Sequence, residues 1–336
     1  MNVASEAAAT TVVPQRAARR ADASLRIAFV VMVAFFAAAP VVIYPVFLMK
    51  VMCFALYACA FNLLIGYGGL LSFGHAMFLG GAGYAAAHLA KEGLQVAGLA
   101  LPPFTPELAI LGGTLAASVL GLLVGLIAIR RQGIYFAMIT LALAQMVYFF
   151  CVQAPFTGGE DGIQAVPRGK LFGVVDLSTP LTMYPTVFVI FIGGFLLIYR
   201  IIHSPFGQVL KAIRENEARA ISLGYDADRY KLLAFVLSAT LAGLAGATNA
   251  LVFQLAALNA VHWTMSGEVV LMTLVGGLGT VFGPVAGAFM LISLEHYLAQ
   301  VGSWVTVVQG VIFVICVLTF RRGIVGEIAH LIKKPL

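Results

Sequence analysis

The stretch "HSPFGQVLKAIRENEARAISLGYDADRYKLLAF" (His203–Phe235) decides how this chain is read. Between Lys211 and Lys231 it gathers nine of the chain's 34 charged residues, in a sequence 10% charged and 61% hydrophobic. Soluble domains are about 45–50% apolar and about 25% charged. A mean hydropathy of +1.00 excludes that class. Apolar runs of about 20 residues can cross a bilayer as helices, and such runs flank the charged island on both sides. We therefore expect an all-α polytopic integral membrane protein with about eight to ten transmembrane helices and both termini cytoplasmic. The net charge of +6 sits beside the ends of the apolar runs, as the positive-inside bias places it, and is no nucleic-acid signature.

Outward from the island, the spans are expected near 27–47, 50–65, 70–90, 106–129, 133–152, 182–202, 230–256, 268–281, 283–299 and 303–320. Basic residues at 16–26, at Arg130 and Arg131, in the island, and at Arg321, Arg322, Lys333 and Lys334 mark the cytoplasmic side. Ten spans satisfy every marker; eight, with short pairs re-entrant, satisfy them equally. Residues 1–26 read as a disordered cytoplasmic leader, 27–320 as the transmembrane domain and 321–336 as a cytoplasmic tail. Within the domain, 153–181 reads as an external loop and 203–229 as a cytoplasmic one.

Two of the shortest spans run into glycine clusters: "GYGGLLSFGHAMFLGGAGY" (Gly66–Tyr84) and "GGLGTVFGPVAGA" (Gly276–Ala288). Glycine lets helices approach closely or lets the backbone break inside the membrane. Broken helices at depth are tolerated only inside protein or beside a water-filled path, and paired ones in two halves of a transporter point toward its pathway. Plain glycine-mediated packing is the alternative. The faint likeness of the two clusters suggests an internal duplication. Polar residues within spans favour protein or water over lipid. Asn62, Ser72, His75 and Glu268 are the candidate pathway residues, with Gln145, Asn249, Gln254 and Glu295 also in view. Glu268 and Glu295 lie near helix ends, where headgroup water alone would satisfy them. His75 would serve equally as a packing residue bonded to a backbone carbonyl.

No GxxxxGK[ST], GxSxG, HExxH or CxxC pattern occurs, so phosphate-loop ATP hydrolysis and the commoner catalytic or zinc sites are not expected in this chain. No cofactor or metal is expected in it. Cys53, Cys59, Cys151 and Cys316 read as small apolar packing residues. No carboxylate–arginine relay of an ion-coupled carrier stands within the spans.

The charged island itself reads as a built element. Ser204 is an N-cap before Pro205 at the first helical position. A helix of about nineteen residues is expected to follow, to Leu223, with Gly224 as its stop. Asp226 and Asp228 suit the first turn of the next helix. Glu215 and Arg219 are placed as an i,i+4 pair. Topology needs only Lys and Arg, so the added Glu215, Glu217, Asp226 and Asp228 point to docking with a soluble partner. An amphipathic membrane-surface helix would carry an uncompensated basic face.

At this point "AIRENEARAISLG" (Ala212–Gly224) resembles the cytoplasmic loop of permease subunits of high-affinity branched-chain amino acid ABC importers. The resemblance continues through Tyr230-Lys231-Leu232 and Phe235, Ser238, Ala239, Ala242, Gly243, Ala245 and Gly246. It also includes "TGGEDGIQAVP" (Thr157–Pro167), both glycine clusters and "FRRGIVG" (Phe320–Gly326). It covers about residues 30–326. It implies a pathway formed by two related permeases, a periplasmic or extracytoplasmic binding protein, and two cytoplasmic ATPases that use ATP and Mg. It implies a bacterial-type inner membrane location. Arg214, Glu215, Asn216, Glu217, Arg219 and Gly224 would lie in or beside the coupling helix that meets the ATPase, so Glu217→Lys would break that docking. The chain departs from the family at Ala260 and at Arg321-Arg322-Gly323, where proline is common. Relatives carry urea, amides or aromatic acids, so those substrates stand as alternatives. An ion-coupled secondary transporter stands as the alternative of a different class.

Overall fold

The computed structural model describes residues 15–93, 95–96, 99–100, 102–298, 305–319 and 323–332. It is a helical bundle. Among the described residues six helices are long and apolar enough to cross a membrane: α1 (Gln15–Ala38), α2 (Pro45–Asn62, prolonged by a π turn through Tyr67), α4 (Pro106–Ala128), α5 (Ile134–Gln153), α6 (Pro180–His203) and α9 (Ala227–Phe253). Four further apolar helices are shorter: α3 (His75–Lys91), α10 (Trp263–Gly276), α11 (Gly283–Leu298) and α12 (Val305–Thr319). Two small helices, α7 (Pro205–Glu215) and α8 (Glu217–Ser222), make up the charged island, and α13 (Gly323–Ile332) follows the last apolar helix. The few strands have two residues each.

The centre is α2. Fourteen of its residues, Leu48, Met49 and Val51–Asn62, are buried, and it packs against α6, α9, α10 and α11. A helix apolar on all sides has no face to give to water, so it takes the middle of the bundle. This corrects the short span expected at 50–65. Pro45 starts the helix at its first turn, and the π turn carries it past Gly66 to Tyr67. Lys50, the first residue of that expected span, lies within the helix. The first apolar run, expected to span 27–47, is divided by Pro40, which ends α1 in a 3-10 turn because proline cannot continue a helix. Residues 15–26, expected as disordered leader, are already helical; residues 1–14 lie outside the described ones. In the expected tail, 323–332 form α13, while Arg321, Arg322, Lys333 and Lys334 lie outside the described residues.

Beside α2, helices α3, α4 and α9 form a second tight layer. Small residues make it possible. A side chain at Gly246 of α9 would overlap the Leu79 carbonyl of α3, so the two backbones meet directly, as small-residue seams allow in membranes. The loop "TGGEDGIQAVP" closes one end of this layer. Its Ile163–Gln164 pairs antiparallel with Leu255–Ala256 just beyond α9. Arg168 then reaches the end of α9, donating to the Leu251 and Val252 carbonyls at 3.3 and 2.6 Å and to Ser178 O at 3.0 Å. Burial lowers its pKa, but a guanidinium stays charged at any physiological pH. It therefore brings positive charge to a helix C-terminus, where the dipole favours it.

Both glycine clusters are breaks. After Tyr67 the chain leaves the helix through Gly69 at φ +70° and re-enters one at His75. After Gly276 it turns at Gly277 (φ +123°) and Gly279 (φ +74°), then begins α11 at Gly283. The two helix–break–helix units meet: a side chain at Gly66 would lie 2.9 Å from the Gly279 nitrogen. Gly323, which opens α13, lies against the Gly277 backbone on the same junction.

Candidate functional site

The island is two helices, not one. Asn216 leaves helical geometry at φ −157°, and its side chain accepts from Arg219 N at 3.0 Å, capping α8. An asparagine with a free N–H three residues on is a better cap than a mid-helix residue. The break separates Glu215 from Arg219, and no ion pair joins them among the described residues. The other local signals hold. Ser204 caps α7 by accepting from Gly207 N at 3.3 Å, Gly224 stops α8 at φ +89°, and Asp226 caps α9.

The six coupling candidates divide by direction. Arg214 sends its guanidinium inward and donates to the Gly66 carbonyl, with Nη1 also 3.7 Å from where a Gly279 side chain would begin. Glu217 is also turned inward, pairing with Lys231 Nζ at 2.6 Å and accepting from Gln132 Nε2 at 3.0 Å. Lys231 is buried, so Glu217 ties α8 to α9 and to the α4–α5 turn. Asn216 is used in capping. All six but the half-buried Glu217 are exposed, Arg214 and Asn216 included, together with Ile221, Leu223 and Tyr225. Leu210 and Ile213, the apolar side of α7, are buried. A cleft of about 450 Å³ lies between α7 and the junction, lined by Tyr67, Lys211, Arg214, Glu215 and Gly279 among others. Lys211 Nζ stands 5.3 Å above the Tyr67 ring there.

Of the four pathway candidates, three are enclosed. Asn62 binds the second break from the first, donating to Thr280 O at 2.9 Å and accepting from Gly279 N at 3.0 Å. It satisfies backbone groups that the break releases, which a dry interior requires. Ser72 accepts from Gly74 N at 3.2 Å at the start of α3. His75 is fully buried, edge-on to Phe61, Phe78 and Phe235. Its Nε2 lies 2.8 Å from Ser238 Oγ, whose one proton goes to Ala60 O at 2.5 Å. The imidazole must then donate from Nε2, leaving Nδ1 as an unpartnered acceptor. So His75 knits α2, α3 and α9 together. Its expected carbonyl partner is replaced by a serine.

Glu268 stands apart, on α10 at the end of the bundle away from α7 and α8. It is partly exposed and within electrostatic reach of Glu295 and Lys50, which form an ion pair at 2.9 Å. Three contributors escape a reading of the sequence. Lys50 is visible there only as a span boundary. Ser238 stands within a quoted motif with nothing to show its partner. Ser266 of α10 accepts from Ala76 N at 2.9 Å and so caps α3 from another helix. Among the described residues no group of three or more His, Cys, Asp and Glu could hold a metal ion.

A multi-pass helical bundle whose broken helices meet beneath an anchored, charged helix pair defines a membrane transport component. The family model described as branched-chain amino acid transport system / permease component matches residues 43–317, and the chain belongs to that family. It is 25% identical over 296 residues to the high-affinity branched-chain amino acid transport system permease protein LivM of Escherichia coli (strain K12), covering 81% of this chain and 68% of that one. It is 30% identical over 135 residues to the probable branched-chain amino acid transport permease protein LivH of Methanocaldococcus jannaschii, covering 39% of this chain and 41% of that one. To the xylose transport system permease protein XylH of Escherichia coli (strain K12) it is 26% identical over 181 residues, covering 49% and 44%. No solved structure matches the chain.

Proposed function

We propose that this chain is the permease subunit of an ATP-driven ABC importer in a bacterial-type inner membrane, forming half of the pathway for branched-chain or related amino acids. A second related permease supplies the other half. Two cytoplasmic ATPase subunits, using ATP and Mg, dock on α7 and α8, and an extracytoplasmic binding protein delivers the substrate. The chain itself hydrolyses nothing.

The observation that carries this reading is the inward anchoring of the island. Arg219, Ile221 and Leu223 are exposed at its tip, while Arg214 at its base holds the Gly66 carbonyl beside Gly279. A partner pushing on the tip moves the base, and the base is bonded to the place where two broken helices meet. A few such bonds with two arrangements are enough for a small shift to become a change of state. The likeness to proteins named LivM and LivH supports amino acids as cargo and a pair of related permeases.

The test is leucine uptake into proteoliposomes holding the chain with its co-purifying subunits and binding protein. Uptake should require ATP on the side of the membrane that the island faces. Ile221→Asp and Arg219→Glu should insert normally, lose the ATPase subunits on purification and lose uptake. Uptake driven by an ion gradient without ATPase subunits would instead establish a secondary carrier. Uptake of xylose and not leucine would move the cargo toward the sugar-transporting relative.

A further inference from the structure

We propose that Lys50, Glu268 and Glu295 form an entry site for the head group of a zwitterionic amino acid. The inference rests on the importer reading and adds where the cargo first meets this chain. The three residues come from α2, α10 and α11, which pack against one another. Each lies within about one and a half turns, or about 8 Å along the axis, of the helix end facing away from α7 and α8. Lys50 Nζ and Glu295 Oε2 pair at 2.9 Å, yet their side chains remain 27% and 44% exposed. Glu268 is partly exposed and has no hydrogen bond or ion pair among the described residues. Beside it, no atom lies within 4 Å of where a side chain at Gly267 would begin.

The chemistry of this set is complementary to an amino acid. The Lys50–Glu295 pair is neutral, which leaves the Glu268 carboxylate to receive an ammonium. An ammonium group such as that of Lys50 has three donors. One serves Glu295, and another can hold an α-carboxylate. Leu271 and Leu274, about one and two turns further along α10, are partly exposed and give an apolar side chain a surface to follow. Ionisable groups among apolar helices avoid lipid and face water or protein, so this face lines a wet vestibule or the second permease.

The experiment is thiol protection. Gly267→Cys fills open space, and the four native cysteines are buried, so a membrane-impermeant thiol reagent should label the new residue alone. In proteoliposomes, millimolar leucine should slow labelling at least about threefold, the protection of ligand at twice its Kd. Isoamylamine, lacking the carboxylate, and 4-methylpentanoate, lacking the ammonium, should protect little. Glu268→Gln in the same background should abolish the protection by leucine. No protection by leucine overturns the site, and equal protection by isoamylamine overturns it in favour of a simple cation site. As a second measurement, Glu268→Gln leaves the Lys50–Glu295 pair intact and should lower leucine uptake about tenfold while ATP hydrolysis continues. Unchanged uptake by that variant overturns the site and leaves the importer reading standing. Absence of ATP-driven leucine uptake in the wild type overturns the importer reading, and this inference with it.

Discussion

Glu217→Gln separates a residue that touches a partner subunit from one that holds the island in place. The Lys231 side chain is 5% exposed and has Glu217 Oε1 at 2.6 Å; the Glu217 side chain is 26% exposed. Breaking a fully buried ion pair by removing one partner costs about 3–5 kcal/mol, because a buried charge is left uncompensated. Water at Glu217 screens part of that, which puts the expected loss at about 2–3 kcal/mol. The amide that replaces the Glu217 carboxylate still accepts from Gln132, so the neutral hydrogen bond is kept and only the charge is tested. The double variant Glu217→Gln/Lys231→Met removes both charges. An apolar replacement of a buried pair is often near neutral, so the double variant should be more stable than Glu217→Gln alone. The interaction energy should fall within the roughly 0.5–3 kcal/mol range of contacting residues. Thermal unfolding of the purified protein, followed by fluorescence-detected size exclusion, ranks the wild type, the two single variants and the double. A double variant no more stable than Glu217→Gln would refute the inward role and return Glu217 to the ATPase-contacting surface.

Three further outcomes follow from the same geometry. Arg214→Met removes a charge-assisted bond to the Gly66 carbonyl, worth about 1.5 kcal/mol at a partly exposed position, and about tenfold in an equilibrium. Leucine moved per ATP hydrolysed should fall about that much while ATPase binding survives; equal losses in both would contradict a linking role. Arg168→Met strips the end of α9 of two donated bonds and Ser178 of a third and should lower stability by about 2–3 kcal/mol, measured as a lower unfolding temperature with the same helix content. Gly246→Leu forces α9 off the Leu79 carbonyl. Overpacking of this kind costs about 1–3 kcal/mol or more, seen as loss of monodisperse protein after extraction, whereas the same change at open Gly193 should be tolerated.

Much of the fold is legible residue by residue. Apolar runs locate the helices because the backbone in lipid has to satisfy itself. Ser204, Asp226 and Gly224 mark helix ends because their preferences are local. The sequence suggests a single long island helix because Asn216 passes for a helix residue until its cap to Arg219 N is seen. It suggests a shorter α2 because Lys50 and Gly66 look like boundaries until Glu295 and the π turn are seen. The candidate site is less legible. Asn62, Ser72 and His75 stand out as polar residues inside apolar helices, but burial and bonding make them structural in this conformation.

The sequence by itself determined a helical membrane protein, the positions of its glycine clusters and a charged helical island between two apolar spans. These are written in composition and in contacts a few residues apart. Only the tertiary structure decided that the two breaks touch, that Arg214 bonds one of them, and that Lys50 meets Glu295. Those pairs are separated by 148 to 245 residues, and no local pattern encodes which polar group a distant one will satisfy. The same holds for the charged island. Its residues suggest a docking element, and packing alone divided those left exposed from those bonded to the bundle.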